Sequence, residues 1–144
     1  MPYLTDKEID LSFTTKLNCK YIIASQHRKI GNPHKCKWII PYKDEINCFI
    51  NAQISEWIIG PICWGVKVSG TNLQTIGRNI NDEDLKFAKF VDSSNSNIWH
   101  GYPADYKNRS QDIPDISVLL SWKENHYLEK HHIRKIKQGM PCNL

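Results

Sequence analysis

The stretch DEINCFINAQISEWIIGPICWGVKV, residues 44–68, decides the fold class, because the spacing of its large apolar side chains changes along it. In its first part these side chains recur every three or four positions, which is the spacing of a helix with one buried face. Gly60 and Pro61 interrupt the pattern. The residues from Ile62 to Val68 then have the composition of a strand. We therefore predict a helix over residues 45–58 that is followed directly by a strand.

Strand-like segments on both sides of this helix predict a small antiparallel sheet, and hence an α+β fold. The four predicted strands cover residues 18–25, 36–42, 62–69 and 73–78. The first two are predicted to form a hairpin with a long basic tip, and the last two to pair across a turn. No repeat, low-complexity tract or linker divides the chain, so we expect one domain over residues 1–144.

Two further segments have local signals of their own. The residues from Thr5 to Glu8 have the form of a capping box, which predicts a short helix over residues 6–13. Residues 82–91 fit a helix capped by Asn81, but a strand over residues 86–91 is the alternative, because apolar and polar side chains alternate there. Both structures stay open for that segment.

The C-terminal part of the chain predicts a pair of short helices. Pro114 suits the first position of a helix, and apolar residues follow it at helical spacing. A second helix over residues 129–138 places Ile133 and Ile136 on one face. Gly139 follows it directly, which is the usual position for a glycine at a helix end.

The composition is typical of a globular protein with a polar surface, since 40% of the 144 residues are hydrophobic and 24% are charged. No apolar run approaches the roughly 18 residues of a membrane span. The N-terminus lacks the apolar segment of a secretory signal. We therefore expect a cytoplasmic protein that has no membrane partner.

The five cysteines are odd in number and form no CxxC pair, which favours buried free thiols over a disulfide framework. His27, His34 and Cys36, with Cys19 nearby in the chain, could hold a zinc ion. Their spacing fits none of the standard zinc motifs, however, and phosphate-binding loops and zinc-hydrolase motifs are missing as well. The sequence therefore predicts neither a metal nor a cofactor.

Charge is unevenly distributed along the chain, although the net charge is only +4. Residues 1–43 hold eight basic and three acidic residues, residues 44–84 hold two and six, and residues 85–144 hold nine and six. The two ends are therefore basic and the middle is acidic. Such a distribution favours a positively charged surface that attracts phosphates or an acidic protein.

Residues 99–109 contain the densest group of side chains able to form a site. Gly101 and Pro103 predict that this stretch is a loop rather than regular structure. The same side chains also fit a structural role, in which Trp99 and Tyr102 pack at the edge of the core. The functional and structural interpretations both stay open.

Four side chains of this cluster suit metal-free chemistry on a phosphodiester. His100 is the natural general acid or base, because an imidazole has an ordinary pKa of about 6.5. Asp105 could fix its tautomer, Tyr102 could stabilise a developing negative charge, and Arg109 could hold a phosphate. We take these four as the candidate catalytic residues.

A larger set of cations and aromatic residues could bind a nucleic acid or a partner protein. Cations would contact phosphates and aromatic rings would stack on bases. Its members lie in the predicted hairpin tip (Arg28, Lys29, Lys35, Lys37 and Trp38), in the 99–109 cluster (Trp99, Tyr106 and Lys107) and in the last helix (Lys130, Arg134, Lys135 and Lys137).

These observations predict a small basic protein that binds nucleic acid, either RNA or single strands. A nuclease activity, if the protein has one, is expected to be metal-independent and centred on His100. The alternative is a protein-interaction module, such as an inhibitor or immunity-type protein. That module would bind an acidic partner protein through residues 99–109, where aromatic side chains and an arginine would form the centre of the interface. Whether the protein is an enzyme is left open.

Overall fold

The computed structural model describes residues 6–12, 17–28 and 35–144. In this part of the chain a mixed sheet carries one long helix on one face and a pair of short helices on the other. The predicted α+β class is therefore confirmed, with three helices and a multi-stranded sheet.

The strands are short, and most of them lie between residues 58 and 104. The strands are β1 (Lys7–Asp10), β2 (Lys20–Ile23), β3 (Lys37–Trp38), β4 (Ile58–Ile59), β5 (Ile62–Gly65), β6 (Val68–Ser69), β7 (Asn72–Leu73), β8 (Gly77–Arg78), β9 (Asp84–Leu85), β10 (Phe87–Val91) and β11 (Ile98–Ala104). The helices are α1 (Tyr42–Ile54), α2 (Ile116–Glu124) and α3 (Lys130–Lys137), and 3-10 turns cover Ser25–His27 and Ser110–Asp112.

The main sheet has the strand order β1-β2-β11-β10-β5-β4. Every neighbouring pair in it is antiparallel except β2 and β11, which run parallel. A second sheet has the order β3-β8-β9, and β6 pairs with β7 in a separate hairpin. Because a parallel pair cannot be joined by a tight turn, β2 and β11 come together from distant parts of the sequence.

The helix α1 covers one side of the main sheet, which we call the near face. It begins at Tyr42, three residues earlier than predicted, because the Pro41 carbonyl accepts hydrogen bonds from the Asp44 and Glu45 amides. Phe49 is fully buried, and its ring lies 4.8 Å from that of Tyr21 and 5.2 Å from that of Phe90. The helix ends at Ile54 rather than at residue 58, since the following residues turn into β4 and pair with β5.

The prediction that residues 99–109 form a loop is wrong, because their first half lies in β11 at the centre of the main sheet. Gly101 allows the close approach of Phe90, since a Cβ at position 101 would lie 2.3 Å from Phe90 Cδ1. Pro103 is tolerated because β2 pairs only with the first three residues of β11. Both residues therefore serve packing in a strand and not a turn.

The predicted N-terminal helix over residues 6–13 is also wrong. Residues 7–10 form β1, which pairs antiparallel with β2 and places Ile9 opposite Tyr21. This pairing stabilises an extended chain where the capping-box pattern alone favours a helix. Thr5, which would begin that helix, lies outside the described residues.

The predicted hairpin between residues 18–25 and 36–42 does not form either. The strand β2 lies in the main sheet, whereas β3 is only two residues long and pairs with β8 in the second sheet. After β2, the Arg28 guanidinium forms an ion pair of 2.7 Å with the buried Glu45 of α1 and also donates to the Ile40 carbonyl. Lys29, His34 and the rest of the predicted tip over residues 29–34 lie outside the described residues.

Other predictions from local sequence are confirmed. The hairpin of β6 and β7 pairs Val68 with Leu73, as the turn between them predicts. The predicted strand over residues 62–69 divides into β5 and β6, and the one over residues 73–78 into β7 and β8. For residues 82–91 the strand alternative is correct, because β10 pairs with β5 and β11 on its two sides.

The C-terminal helical pair is confirmed, and it covers one end of the opposite side of the sheet, which we call the far face. The Trp122 ring lies 5.2 Å from the ring of Phe87 in β10. The helix α2 begins at Ile116 rather than at Pro114, because Asp115 caps it with a carboxylate that accepts from the Ser117 amide at 3.0 Å. Gly139 follows α3 with a φ of +69°, the left-handed conformation expected at a helix end.

The cysteines are free thiols as predicted, and four of them are buried, while Cys142 is half-buried. Within residues 6–12, 17–28 and 35–144, no helix has the length and apolarity to cross a bilayer.

Candidate functional site

One row of paired residues crosses all six strands of the main sheet. From one edge to the other its members are Glu8, Ile22, His100, Val91, Ile62 and Ile59. Cross-strand partners point to the same side of a sheet, so these six side chains share the far face. None of the six is buried, and four of them are aliphatic. We call this set the transverse row.

His100 is the polar group near the middle of the transverse row. Its side chain is half-buried between Ile22 and Val91 on the neighbouring strands. Among the described residues, neither of its ring nitrogens has a hydrogen-bond partner. Burial lowers the pKa of His100, and the nearby Asp6 carboxylate offsets part of this effect. The imidazole is therefore neutral at pH 7 and able to accept a proton.

His27 lies close to His100, and its ring packs on the ring of Tyr102. The two rings stack at 5.3 Å with an interplanar angle of 20°. His27 Nδ1 lies 2.9 Å from the Cys36 carbonyl oxygen, so Nδ1 carries the proton and Nε2 has the free lone pair. Burial is the main cause that lowers the pKa of His27 to about 4; the hydrogen bond to the Cys36 carbonyl opposes it, and the charges of Lys35 and Lys37 add to it.

The fully buried carboxylate of Asp112 binds the hydroxyl group of Tyr102. It accepts from the Tyr102 hydroxyl at 3.1 Å and from the Asp105 backbone amide at 2.9 Å. The ammonium of Lys89, which is also buried, lies 3.5 Å from it, and Arg109 Nε lies 3.7 Å away. Burial and this carboxylate raise the pKa of Tyr102, so its hydroxyl stays protonated.

The four candidate catalytic residues do not form one cluster. His100 and Tyr102 share the far face, and the Arg109 guanidinium carbon lies 5.8 Å from the centre of the Tyr102 ring. Asp105, however, is buried and accepts from Asn79 and Asn108, so it does not orient His100. The role predicted for Asp105 as a tautomer-fixing group is therefore wrong.

The aromatic residues predicted to stack on bases are not accessible. Trp38 and Trp99 are each 5% exposed and Tyr106 is 9% exposed. Trp99 packs against Phe49 on the near face, and the Tyr106 hydroxyl donates to the Met140 carbonyl. The predicted interface around residues 99–109 therefore loses two of its aromatic residues, because Trp99 in β11 and Tyr106 just after this strand are buried, while Tyr102 stays half-buried.

Several of the predicted binding cations already have partners within the chain. Arg28 is held by Glu45, Lys107 forms an ion pair of 3.0 Å with Glu83, and Lys37 donates to the Gln26 carbonyl. Lys35 is exposed and close enough to His27 to affect its pKa.

The remaining predicted cations belong to α3, where all four are exposed. Three of them, Lys130, Arg134 and Lys137, line a groove between α2 and α3, and Lys135 is not among the residues of that groove. None of the four forms an ion pair with a described residue. They are therefore free to bind a partner, on a surface separate from the transverse row.

One group of side chains has the composition of a metal site. The ligating atoms of Glu129, His131 and His132 lie within 4.8 Å of one another. His132 Nδ1, however, accepts the Glu129 backbone amide at 2.9 Å. The group also stands at the start of α3, where the helix dipole opposes a cation. We therefore assign it a capping role.

Sequence reasoning missed four contributors to this region: Ile22, Val91, Lys89 and Asp112. One sequence signal was visible, since Lys89 interrupts a run of otherwise apolar residues in β10. No sequence pattern marks Asp112, because Lys89 and Tyr102, which contact its carboxylate, lie 23 and 10 residues before it in the chain.

Comparison with known proteins gives no relative from which to read a function. No family model matches the sequence, and no match to it was found among curated proteins or solved structures. The functional argument therefore depends on the side chains described above.

Replacing Asp112 by Asn is expected to lower the free energy of unfolding by about 3–5 kcal/mol, since it leaves the buried Lys89 ammonium without a counter-charge. Urea unfolding measures this change. Asp115→Asn is the matched control and should cost less than about 1 kcal/mol, because Asn also caps helices. Equal stability of the two variants would contradict the role given to Asp112.

Stability is expected to fall as the pH is lowered from 6.5 to 4, in part through His27. Its pKa is lower in the folded than in the unfolded chain, so the unfolded chain binds more protons in this window. The contribution amounts to about 3 kcal/mol. His27→Asn keeps a donor for the Cys36 carbonyl and does not titrate. Its stability, measured by urea unfolding at several pH values, should therefore depend less on pH than that of the wild type.

Proposed function

We propose that the protein binds single-stranded nucleic acid, RNA in particular, across the transverse row of the far face. The observation that carries this proposal is His100, a neutral, half-exposed imidazole at the middle of an apolar row. Single-stranded RNA is commonly bound on sheet surfaces by unstacked bases that lie on aromatic, imidazole or guanidinium planes. Six strands at about 4.8 Å spacing give a surface about 24 Å across.

The surroundings of the row supply the groups that this kind of binding needs. Tyr102, which is half-buried, lies beside His100 with one side of its ring packed on the buried His27, and Arg109 lies over the Tyr102 ring. Lys35 and Arg109 are exposed cations that can contact phosphates. The apolar members of the row contact bases without reading their sequence, so we expect little sequence preference.

Cleavage is an extension of this binding. The neutral His100 imidazole takes the proton of a ribose 2′-hydroxyl, and the 2′-oxygen attacks the adjacent phosphorus. The bond from phosphorus to the 5′-oxygen breaks, and this oxygen takes a proton from water. A 2′,3′-cyclic phosphate and a 5′-hydroxyl result, and His100 returns its proton to the solvent. DNA lacks the 2′-hydroxyl and is bound but not cleaved.

Binding is tested with a fluorescent single-stranded RNA titrated at several salt concentrations. The logarithm of the affinity should fall linearly with the logarithm of the salt concentration, by about 0.7 for each phosphate contact. Lys35→Gln should reduce this slope by about one contact, and Lys43→Gln, an exposed lysine of α1, should leave it unchanged. Replacing the four α3 cations by Gln should also leave it unchanged.

An affinity for RNA that does not depend on salt, or one lost only in the α3 variant, would contradict binding at the transverse row.

Cleavage is tested with labelled RNA and the His100→Ala variant. Wild-type protein should yield cyclic-phosphate products, and the variant should be slower by about 100-fold or more, since general base catalysis contributes factors of this size. A DNA strand of the same sequence should stay intact. Equal cleavage by both proteins, or cleavage by neither, removes the enzymatic extension and leaves binding to be judged by the titration.

A further inference from the structure

The groove between α2 and α3 is a second surface, and its chemistry differs from that of the transverse row. Its volume is about 620 Å³. Its lining residues are Ile116, Leu120, Lys123, Lys130, Ile133, Arg134, Lys137 and Gln138. Three of these eight are aliphatic, four are cationic and none is acidic.

The floor of the groove is an apolar stripe that the chain itself does not cover. Ile116 and Leu120 are 42% and 48% exposed, although both are large aliphatic residues. They stand four residues apart on α2 and so lie on the same side of the helix. Ile133 of α3, which is mostly buried, forms the opposite wall. A continuous apolar strip with a polar border is typical of an interaction surface.

The border of the groove is positively charged on both helices. Lys123 continues the α2 stripe, and Lys130, Arg134 and Lys137 form one stripe along α3 because they are four and three residues apart. None of these cations forms an ion pair with a described residue. Unlike Lys107 and Arg28, they have no acidic partner in the part of the chain that the structure describes.

We propose that this groove binds an acidic amphipathic helix of a partner protein. Such a helix places aliphatic side chains on the floor of Ile116 and Leu120, and its flanking carboxylates meet the lysines and the arginine on the border. The stripe from Lys130 to Lys137 is about 10 Å long, which corresponds to two turns of the bound helix.

The two other anionic partners fit this surface less well. The phosphates of a nucleic acid would neutralise the cations but would leave the aliphatic floor in water. An anionic membrane presents a plane, whereas this surface is a groove between two helices. An acidic helix matches both the charge and the shape.

This proposal concerns a different surface from the proposed RNA site and does not depend on it. The probe is a fluorescent peptide of about 16 residues, long enough to form a helix. It carries leucines at helical spacing on one face and glutamates on both flanks. A second peptide of the same composition has its leucines distributed around the helix. Each labelled peptide is titrated with the full chain, and its fluorescence anisotropy gives the affinity. We expect the first peptide to bind with a micromolar Kd.

Two pairs of variants locate the binding. Leu120→Glu should weaken it about tenfold or more, and Ile54→Glu, at an exposed isoleucine of α1, should leave it unchanged. Arg134→Gln should weaken it several-fold, and Lys135→Gln, on the same helix but outside the groove, should not. Unfolding curves confirm that each variant folds. His100→Ala should bind the peptide like the wild type, so that failure of the RNA site and failure of the groove are distinguishable.

Three results would overturn the proposal: no binding of the first peptide, equal affinity for both peptides, or loss of binding in Ile54→Glu to the same extent as in Leu120→Glu. RNA or vesicles with anionic lipids that bind the wild type and fail to bind Leu120→Glu would also overturn it, since the groove would then serve a different partner.

Discussion

The buried carboxylate of Asp112 is the interaction on which both surfaces depend. It accepts hydrogen bonds or ionic contacts from β10, from β11 and from the segment between β11 and α2. Burying a carboxylate destabilises the folded chain unless hydrogen-bond donors and cations around it replace the water that it loses. Here the compensation comes from Lys89 and Tyr102, so the segment is fixed on the sheet. This fixes the start of α2, and it also holds the Tyr102 ring against which His27 stacks.

The two surfaces use opposite combinations of charge and apolar area. The transverse row is an aliphatic strip with one titratable group near its middle, and its cations stand at the side. The groove between α2 and α3 has its cations in two stripes beside an aliphatic floor. The first arrangement suits flat, stackable groups joined by phosphates, and the second suits a rod with separated acidic and apolar sides. Because the two surfaces share no residue, the two proposed partners would not compete for the same side chains.

Local sequence predicts helices better than strand partners in this protein. The apolar spacing of α1 and the Pro and Gly signals around α2 and α3 depend on neighbouring residues and lead to correct elements. The pairing of β2 with β11 depends on residues far apart, so no local pattern reveals it. Gly101 and Pro103 have the composition of a turn but serve close packing in a strand. For the same reason the sequence identifies His100 as a candidate, but not its cross-strand neighbours Ile22 and Val91.

The parallel pairing of β2 with β11 also has a consequence for how the chain acquires its structure during synthesis. The register sets Ile22 beside His100, so the N-terminal strands cannot complete the sheet until most of the polypeptide has left the ribosome. Contacts between such distant segments slow folding, and unpaired strand edges are prone to aggregate meanwhile. The edge of β2 that pairs with β11 is therefore open to aggregation until β11 has been synthesised.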